Sequence, residues 1–403
     1  MATVQLPASP AEPANGKPVT PVNPAQTPAP SSTASAMPTP ALIAGMLKSA
    51  KNVSDLIFSP GRPPQVEVSG RLMAVKVPGL ESLTPADTAR IAADLIGQNK
   101  IAAQTLKDEG ATDLSYSIPG VGRFRTNIFR QRGTHAIVMR VIASKIPTFE
   151  ELNLPEELKR IAELKNGIVL VTGPTGSGKS STLAAVLDLI NSTKADHIIT
   201  IEDPIEFMHP HKMATIHQRE LHLDTFSFAG ALRAALRQAP KVILVGEMRD
   251  RETIEIALTA AETGHLVLST LHTIDAAKTV ERIVGTFPLS EQEAIRMRLA
   301  ASFRYFVAQR LLPRKDGAGR IAAFEILKAT LRTKQYIEQG EQEGKTLLDC
   351  MRDGDQEGMQ YFDGQLEKLV RGGMISFETA MQYATNSGNL RLTLADLDEA
   401  QQF

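Results

Sequence analysis

GIVLVTGPTGSGKSSTLAAVLDLIN, residues 167–191, is the stretch that decides the fold. Residues 168–172 form a short apolar run rich in β-branched side chains, which predicts a buried strand. Apolar residues then recur at helical spacing over 181–190, which predicts a helix. Between the two, residues 173–180 match the G-x-x-x-x-G-K-[ST] phosphate-loop pattern without a mismatch. This order of strand, loop and helix predicts an α/β domain that binds a nucleotide.

The residue types of this loop suit a polyphosphate. Its glycines allow a tight backbone whose N–H groups converge on an anion, and the helix that follows adds its positive end. Lys179 supplies a fixed charge for the β- and γ-phosphates, and Ser180 a hydroxyl for Mg²⁺. A glycine-rich turn without a ligand is the alternative, and the flanking strand and helix argue against it. The predicted nucleotide-binding residues are Gly173, Pro174, Thr175, Gly176, Ser177, Gly178, Lys179 and Ser180.

The composition narrows the class of protein. A chain of 403 residues is long enough for two or three domains, and its net charge of -1 gives no general attraction to nucleic acid or anionic lipid. One cysteine excludes a disulfide and a tetracysteine zinc site, and it fits a cytoplasmic setting. No apolar run is long enough to span a bilayer, so we expect any membrane role to be peripheral and mediated by a partner. Scarce aromatic residues argue against stacking on single-stranded nucleic acid.

The order of segments predicts a tail and two domains followed by helices. Residues 1–40 are rich in Pro, Ala, Thr and Ser and predict a disordered tail. Residues 41–145 predict a small α/β domain, and 146–157 a proline-bearing linker. The core that carries the phosphate loop is predicted at 158–330, and a helical region at 331–403.

Within the small domain, residues 41–56 carry apolar side chains at helical spacing and predict a helix. A strand at 66–68, a hairpin at Gly70 and a strand at 72–75 follow, and Thr84 is the predicted start of a helix over 88–97.

Arginines line one face of a later strand in this domain. Arg123, Arg125 and Asn127 alternate with Phe124 and Ile128, and Arg140 lies nearby in sequence. Such a face is either solvated or reaches phosphates, and the pattern alone favours the solvated face.

Acidic residues follow two apolar strands of the predicted core. The strand at 197–201 ends in Glu202, Asp203 and, after Pro204-Ile205, Glu206. Ligands of an open parallel sheet bind at the carboxyl ends of its strands. These carboxylates therefore either hold Mg²⁺ or orient an attacking water, or they belong to a surface turn stabilised by Asp-Pro.

The strand at 242–245 ends in Gly246 and Glu247, which is the Walker B pattern of phosphate-loop enzymes. Many such enzymes carry an acid where this chain has Gly246. The predicted metal ligands are therefore Ser180, Glu202 and Asp203, and Glu247 is free to polarise a water. A structural glutamate at a strand end is the alternative.

The remaining core stretches carry weaker signals. Residues 265–272 predict a strand with a histidine at each end, and a strand-end histidine is more often structural than catalytic. Residues 290–308 predict a helix, 310–326 a hairpin-like return, and 331–403 further helices.

Taken together, the phosphate loop, the acidic segment, VILVGEMRD and ETGHLVLSTLHT make the chain resemble the PilT/PilU family of type IV pilus retraction ATPases. The stretches VSDLIFSPGRPPQVEVSGRL, VGRFRTNIFRQRG and QEGMQYFDGQLEKLVRGGMISFETAMQYA resemble further parts of that family. The resemblance covers about residues 41–395. It implies a RecA-like P-loop core with a PAS-like α/β N-terminal domain and C-terminal helices, using ATP and Mg²⁺.

The resemblance also implies partners and a location. It predicts a homohexameric ring at the cytoplasmic base of the pilus machine, acting on the inner-membrane platform protein, with a paralogous retraction ATPase as a further partner. It predicts neither binding of nucleic acid nor insertion into the membrane.

Residue roles follow from the same resemblance. It assigns Glu247 as the catalytic Walker B acid and places Arg123, Arg125 and Arg140 where arginines approach the γ-phosphate, which reverses the preference for a solvated face. Its other predicted catalytic residues are Glu202, Glu206, His265 and His272.

Three features depart from the family pattern. Lys241 replaces a usual aspartate, RQAP and SGNLRL are closer to PilU, and LRTKQYIEQGEQEGK replaces a segment tied to retraction. Four functions remain open from the sequence: a retraction motor, an assembly or secretion ATPase, a RecA-like nucleic-acid translocase, and a nucleotide-gated adaptor without turnover.

Overall fold

A mixed helix-and-sheet unit forms the N-terminal part of the protein. The computed structural model describes residues 37–68, 70–142 and 145–396, so the predicted tail at 1–40 lies almost wholly outside the described residues. The N-terminal elements are α1 (Thr39–Lys48), β1 (Val53–Phe58), β2 (Gln65–Val68), β3 (Arg71–Ala74), α2 (Pro85–Ile96), α3 (Lys100–Glu109), β4 (Ala111–Ile118), β5 (Gly122–Gln131) and β6 (Thr134–Ile142).

These strands form an antiparallel sheet in the order β3-β2-β1-β6-β5-β4. One face packs against α1 and α2, where Phe58, Phe124 and Met139 are buried. The alternation predicted for β5 is confirmed, because Phe124 and Ile128 are buried and Arg125 is exposed. The helix start at Thr84 is also confirmed, since its side chain forms a capping box with Asp87.

The helix predicted over 41–56 is wrong in its second half. Helix α1 ends at Lys48, and β1 begins at Val53 after Asn52, whose φ of 57° lies in the left-handed region. Leu56 is fully buried between the ladders to β2 and β6. Tertiary pairing therefore overrides the apolar spacing that continues from the helix into the strand.

A larger sheet forms the core. Its elements within the described residues are a 3-10 helix (Glu156–Glu163), β7 (Gly167–Thr172), α4 (Lys179–Thr193), β8 (His197–Glu202), β9 (Thr215–Glu220), α5 (Phe228–Ala235), β10 (Val242–Val245), α6 (Arg251–Glu262), β11 (Leu266–Leu271), α7 (Ala276–Val284), α8 (Leu289–Ser302), β12 (Phe303–Pro313) and β13 (Arg320–Lys328). The strand order is β13-β12-β7-β11-β10-β8-β9, parallel except for β13.

Both faces of this sheet are covered, which explains why its strands are apolar throughout. In β7, Ile168 and Leu170 pack into one core cluster while Val169 and Val171 pack into the other. The RecA-like core that the resemblance implies therefore has the expected doubly covered parallel sheet.

The helix predicted over 290–308 is wrong beyond Ser302. Helix α8 ends there, and β12 begins directly at Phe303. Phe303, Tyr305 and Val307 are buried in register with β7, so aromatic and β-branched side chains favour a strand at this point.

The C-terminal elements are α9 (Leu331–Gln339), α10 (Leu347–Asp353), α11 (Phe362–Arg371), α12 (Phe377–Tyr383) and α13 (Ser387–Thr393), with a 3-10 turn at Asp355–Glu357. A separate apolar cluster joins Ala308, Leu312 and Ala323 of the β12-β13 hairpin to Phe362 and Leu390 of these helices. Among the helices in the described ranges, we find none with the length and apolar character that a membrane crossing needs.

Candidate functional site

The phosphate loop connects β7 to α4 and depends on glycine at two positions. Gly173 has a φ of 141°, and a Cβ there would lie 2.4 Å from the backbone oxygen of Gln309. Gly178 has a φ of 91°, and a Cβ there would lie 2.9 Å from the Gln309 side-chain nitrogen. The loop is thus pressed against β12: a larger residue at position 173 requires the strand backbone to move, and one at position 178 requires the Gln309 side chain to move.

Lys179 begins α4 with its side chain buried, at 8% exposure. Its Nζ donates hydrogen bonds to the carbonyl oxygens of Gly173 at 2.9 Å and Pro174 at 3.1 Å. Burial lowers the pKa of Lys179, and the charges of Glu206 and Glu247 partly offset that effect. The loop therefore holds a desolvated cation whose hydrogen bonds go to neutral carbonyls, and a polyphosphate is a stronger acceptor.

Two hydroxyl groups, one at the end of β7 and one within the phosphate loop, have no hydrogen-bond partner among the described residues. Ser177 Oγ and Thr172 Oγ1 are buried and accept or donate no hydrogen bond within the part of the chain that the structure describes. Native proteins leave few such groups unpaired, and those that remain call for an explanation. A phosphate oxygen held by the loop supplies one, so these residues fit the expected ligand.

Three acidic residues of the predicted acidic segment differ in their surroundings. The carboxylate of Glu202, at the end of β8, accepts hydrogen bonds from Thr200 Oγ1 at 2.6 Å and Gln218 Nε2 at 3.1 Å. Burial raises the pKa of Glu202, and the hydrogen bonds from Thr200, Gln218 and the Glu206 backbone offset that effect in part. Asp203 and Glu206 are exposed and line the cleft.

Glu247 follows β10 and lines the same cleft as Lys179. Its Oε2 is 2.5 Å from Arg249 Nε and 3.6 Å from His272 Nε2. Gly246 precedes it, and a Cβ at this position would lie 3.3 Å from the Ile201 carbonyl oxygen. The end of β8 thus lies close to this position, and a side chain at 246 requires a small shift of its neighbours.

The two histidines predicted on one strand lie at opposite ends of β11. His272, at the carboxyl end, lines the cleft beside Glu247. His265 precedes the amino end, where its Nδ1 lies 2.9 Å from the Ala260 carbonyl oxygen. Seven residues of extended chain separate the two by roughly 20 Å. Within one chain, His265 therefore does not reach the cleft.

The three predicted arginines share one face of the N-terminal sheet, where Arg125 opposes Arg140, but their side chains have different surroundings. Arg125 lines the cleft. Arg140 lies opposite it in the β5-β6 ladder but pairs through Nε with Asp55 at 3.0 Å and is 69% exposed. Arg123 forms an ion pair with Glu220 of β9, and their side chains are 15% and 5% exposed. Glu220 also accepts a hydrogen bond from the Ile205 N–H at 3.0 Å, so this pair joins the N-terminal sheet to the acidic segment.

The cleft encloses about 1050 Å³ and includes residues that the sequence did not reveal. Gln309, 3% exposed, accepts a hydrogen bond from Thr182 Oγ1 at 2.8 Å and supports the loop from behind. The sequence contained one signal for the role of Gln309, which is its position inside the apolar stretch FVAQRLL. A buried amide needs hydrogen-bond partners, so a polar residue at such a position indicates a specific contact. Arg314, Arg320 and Asn153 also line the cleft without a recognisable motif.

Comparison with known proteins gives concordant results. The model of the Type II/IV secretion system protein family matches residues 84–372. The type IV pilus retraction ATPase PilT of Pseudomonas aeruginosa is 45% identical over 334 residues, which cover 83% of this chain and 95% of that protein. The type IV pilus ATPase PilU of the same organism is 41% identical over 345 residues, covering 85% and 88%.

A solved structure agrees with these sequence matches. The crystal structure of the pilus retraction motor PilT with bound ADP aligns with a TM-score of 0.77 at 42% identity. The alignment covers 86% of this chain and 97% of that chain. The likeness therefore spans the N-terminal sheet, the core and the C-terminal helices together.

Proposed function

This chain belongs to the Type II/IV secretion system protein family, and we propose that it is a pilus retraction ATPase of the PilT/PilU type. The observation that carries the proposal is the cleft, in which Lys179 of the phosphate loop lies within electrostatic range of both Glu206 and Glu247. A nucleotide-binding loop facing carboxylates is the arrangement that hydrolysis of a nucleoside triphosphate requires.

ATP binds, in this proposal, with its phosphates on the amides of residues 173–178 and on the Lys179 ammonium. That ammonium exchanges its carbonyl acceptors for phosphate oxygens, which are charged and form stronger hydrogen bonds. The unpaired hydroxyl of Ser177, within the loop, is a further donor to the phosphates in this proposal.

Ser180, Asp203 and Glu202 are the side chains that would hold Mg²⁺. Asp203 is open to the cleft, whereas Glu202 is already bonded to Thr200 and Gln218. The described residues contain no group of three or more His, Cys, Asp or Glu able to hold a metal alone, and Mg²⁺ commonly binds through one or two carboxylates, waters and substrate phosphates. When bound, Mg²⁺ neutralises charge on the phosphates.

Glu247 polarises the attacking water, and His272 orients Glu247 through the 3.6 Å contact between their side chains. Of Arg123, Arg125 and Arg140, Arg125 is the one that lines the cleft, so in this proposal it meets phosphate charge. Arg140 and His265 do not line this cleft, so we propose that they act at the boundary with a neighbouring subunit.

We propose a homohexameric ring at the cytoplasmic base of the pilus machine, peripheral to the inner membrane. In it, closure of the N-terminal sheet on the core moves the platform protein, and a paralogous retraction ATPase is a further partner. This chain matches both PilT and PilU, so the proposal covers either role.

The first test is hydrolysis by the purified full chain. Glu247→Gln is expected to keep ATP binding and to lower turnover by about 10²-fold or more, because the water loses its base. Glu252→Gln is the matched control, since Glu252 is exposed and pairs with Arg233 on the helix surface. Near-normal turnover in Glu247→Gln rejects the assignment of Glu247.

The second test is made in cells. Deletion of the gene is expected to abolish twitching, and excess surface pili indicate the principal retraction motor. Lost pili indicate an assembly ATPase instead and overturn the proposal.

A further inference from the structure

A buried carboxyl group lies outside the catalytic cleft, at the centre of β13. Glu325 is 4% exposed and pairs in register with Ala308 of β12. Its Oε1 accepts a hydrogen bond from the Ala276 N–H at 2.8 Å, at the first residue of α7. Burial raises the pKa of Glu325 to about 7, so its charge changes near neutral pH.

The Ala276 amide lies at the end of the segment that leads from the catalytic cleft to α7. Residues 272–275 connect β11 to α7, beginning with His272 beside Glu247 and ending with Asp275, the N-cap of α7. Thr279 Oγ1 donates to the Asp275 carbonyl oxygen at 2.7 Å, and it contacts Thr273 Oγ1 at 2.7 Å. The segment is therefore short and tied at its far end, so the position of Ala276 constrains the position of His272.

Charged groups from three elements act on Glu325. Asp275 at the start of α7 and Asp363 of α11 raise its pKa, whereas Arg310 of β12 lowers it. Arg310 also fastens the C-terminal helices, because it donates to the Tyr383 carbonyl oxygen at 2.6 Å and its guanidinium lies 3.8 Å from the Phe362 ring centre.

Asp363 of α11 also holds the C-terminal helices together. Its two carboxylate oxygens accept hydrogen bonds from the N–H groups of Thr385 at 2.7 Å and Asn386 at 2.9 Å. Arg310 and Asp363 therefore have two effects. Their charges shift the pKa of Glu325, and their hydrogen bonds hold the C-terminal helices in place.

We propose that Glu325 is a positioning residue, which links the docking of the C-terminal helices to the placement of His272 through the Ala276 amide, in a charge-dependent way. The inference rests on the proposed ATPase function and extends it. An ionised carboxylate holds the amide at a helix N-terminus more strongly than a neutral carboxyl group does. Turnover therefore rises as Glu325 ionises.

The test is the pH dependence of kcat and KM for MgATP, measured from pH 6 to pH 8.5 on the full chain. The wild type is expected to show an inflection near pH 7. Glu325→Gln keeps the acceptor for Ala276 but stays neutral, so its kcat is expected to equal that of the wild type at pH 6. At pH 8.5 its kcat is expected to be lower by roughly fivefold, with KM unchanged.

Two further variants give opposite expectations, which a loss of packing alone does not produce. Arg310→Gln removes the stabilising cation and is expected to move the inflection to higher pH. Asp363→Asn removes a competing anion and is expected to move it to lower pH. Shifts of roughly half a unit or more are expected. Arg310→Lys keeps the charge and is the control for the lost guanidinium contacts.

The outcomes separate the two levels of the proposal. Absence of ATP turnover in the wild type at every pH rejects the proposed function. Normal turnover with an inflection that persists in Glu325→Gln, or with shifts of the same sign in Arg310→Gln and Asp363→Asn, rejects only the role of Glu325. Flattening of the profile in Glu325→Gln together with opposite shifts supports it.

Discussion

Removal of the Arg123 guanidinium is expected to loosen the contact between the N-terminal sheet and the acidic segment. Arg123→Met keeps most of the side-chain volume but leaves the carboxylate of Glu220 without its cation. That carboxylate is 5% exposed and retains the Ile205 N–H as a donor. The variant therefore creates a buried charge that one neutral amide satisfies only in part.

The free-energy cost of this substitution depends on how deeply the ion pair is buried. Breaking a fully buried ion pair by removing one partner costs about 3–5 kcal/mol. Arg123 keeps 15% of its side chain exposed, so we expect a cost near the lower end, about 3 kcal/mol. Each 1.4 kcal/mol corresponds to a tenfold change in an equilibrium constant, so local opening becomes about 10²-fold more frequent.

Native-state hydrogen exchange measures this opening directly. The reporting amide is that of Ile205, whose hydrogen bond acceptor is the Glu220 carboxylate. Its exchange is expected to accelerate by about 10²-fold in Arg123→Met. Arg130→Met is the matched control, because Arg130 lies on the same strand and is exposed. Its effect on the Ile205 amide is expected to stay below about twofold.

The double variant Arg123→Met/Glu220→Gln tests the cause. Without either charge, opening is expected to be less frequent than the two single variants predict together, since the penalty comes from the uncompensated charge. Additive effects, or unchanged exchange in a folded Arg123→Met variant, refute the reasoning.

Three further variants test other parts of the site. Lys179→Ala is expected to lower ATP affinity below detection in titration calorimetry, since the loop loses its cation; unchanged affinity and turnover contradict the proposed site. Gly173→Ala places a Cβ 2.4 Å from a backbone oxygen and is expected to lower ATP affinity by more than tenfold, whereas Gly176→Ala, with no atom within 4 Å, is expected to have a smaller effect in the same titration. Glu325 has a pKa of about 7 when folded against an ordinary 4.5, so the wild type loses up to about 3 kcal/mol of stability as pH rises between these values. Glu325→Gln removes that loss. In thermal unfolding at fixed protein concentration, the stability of the variant relative to the wild type is therefore expected to increase from pH 5 to pH 8. A stability difference that does not change with pH contradicts the raised pKa.

The phosphate loop was the part of the fold most accessible from sequence. The predicted strand at 168–172 and helix from 181 correspond to β7 and α4, because glycine positions and apolar periodicity there agree with each other. The two wrong boundaries share one cause. Val53 and Phe303 each begin a strand directly after apolar helical spacing, and only pairing with distant strands decides that change.

The contacts within the site were harder to predict from the sequence than the identities of its residues. Arg123 and Glu220 are 97 positions apart, and their pairing depends on how the N-terminal sheet meets β9. The position of His265 was accessible in principle, since a six-residue strand cannot bring both of its ends to one cleft. The role of Gln309 depends on the close approach of Gly173, which no local pattern encodes.

The β12-β13 hairpin has a mechanical consequence. Gln309 backs the phosphate loop, Arg314 and Arg320 stand at the rim of the cleft, and the strands between them pack against the C-terminal helices. Nine residues of β12 pair with β13, so the hairpin is stiff and has no hinge along its paired length. In the proposed motor, a displacement of Gln309 by the nucleotide is expected to reach the surface that carries Phe362, because Ala308 and Leu312 of β12 pack in one apolar cluster with Phe362.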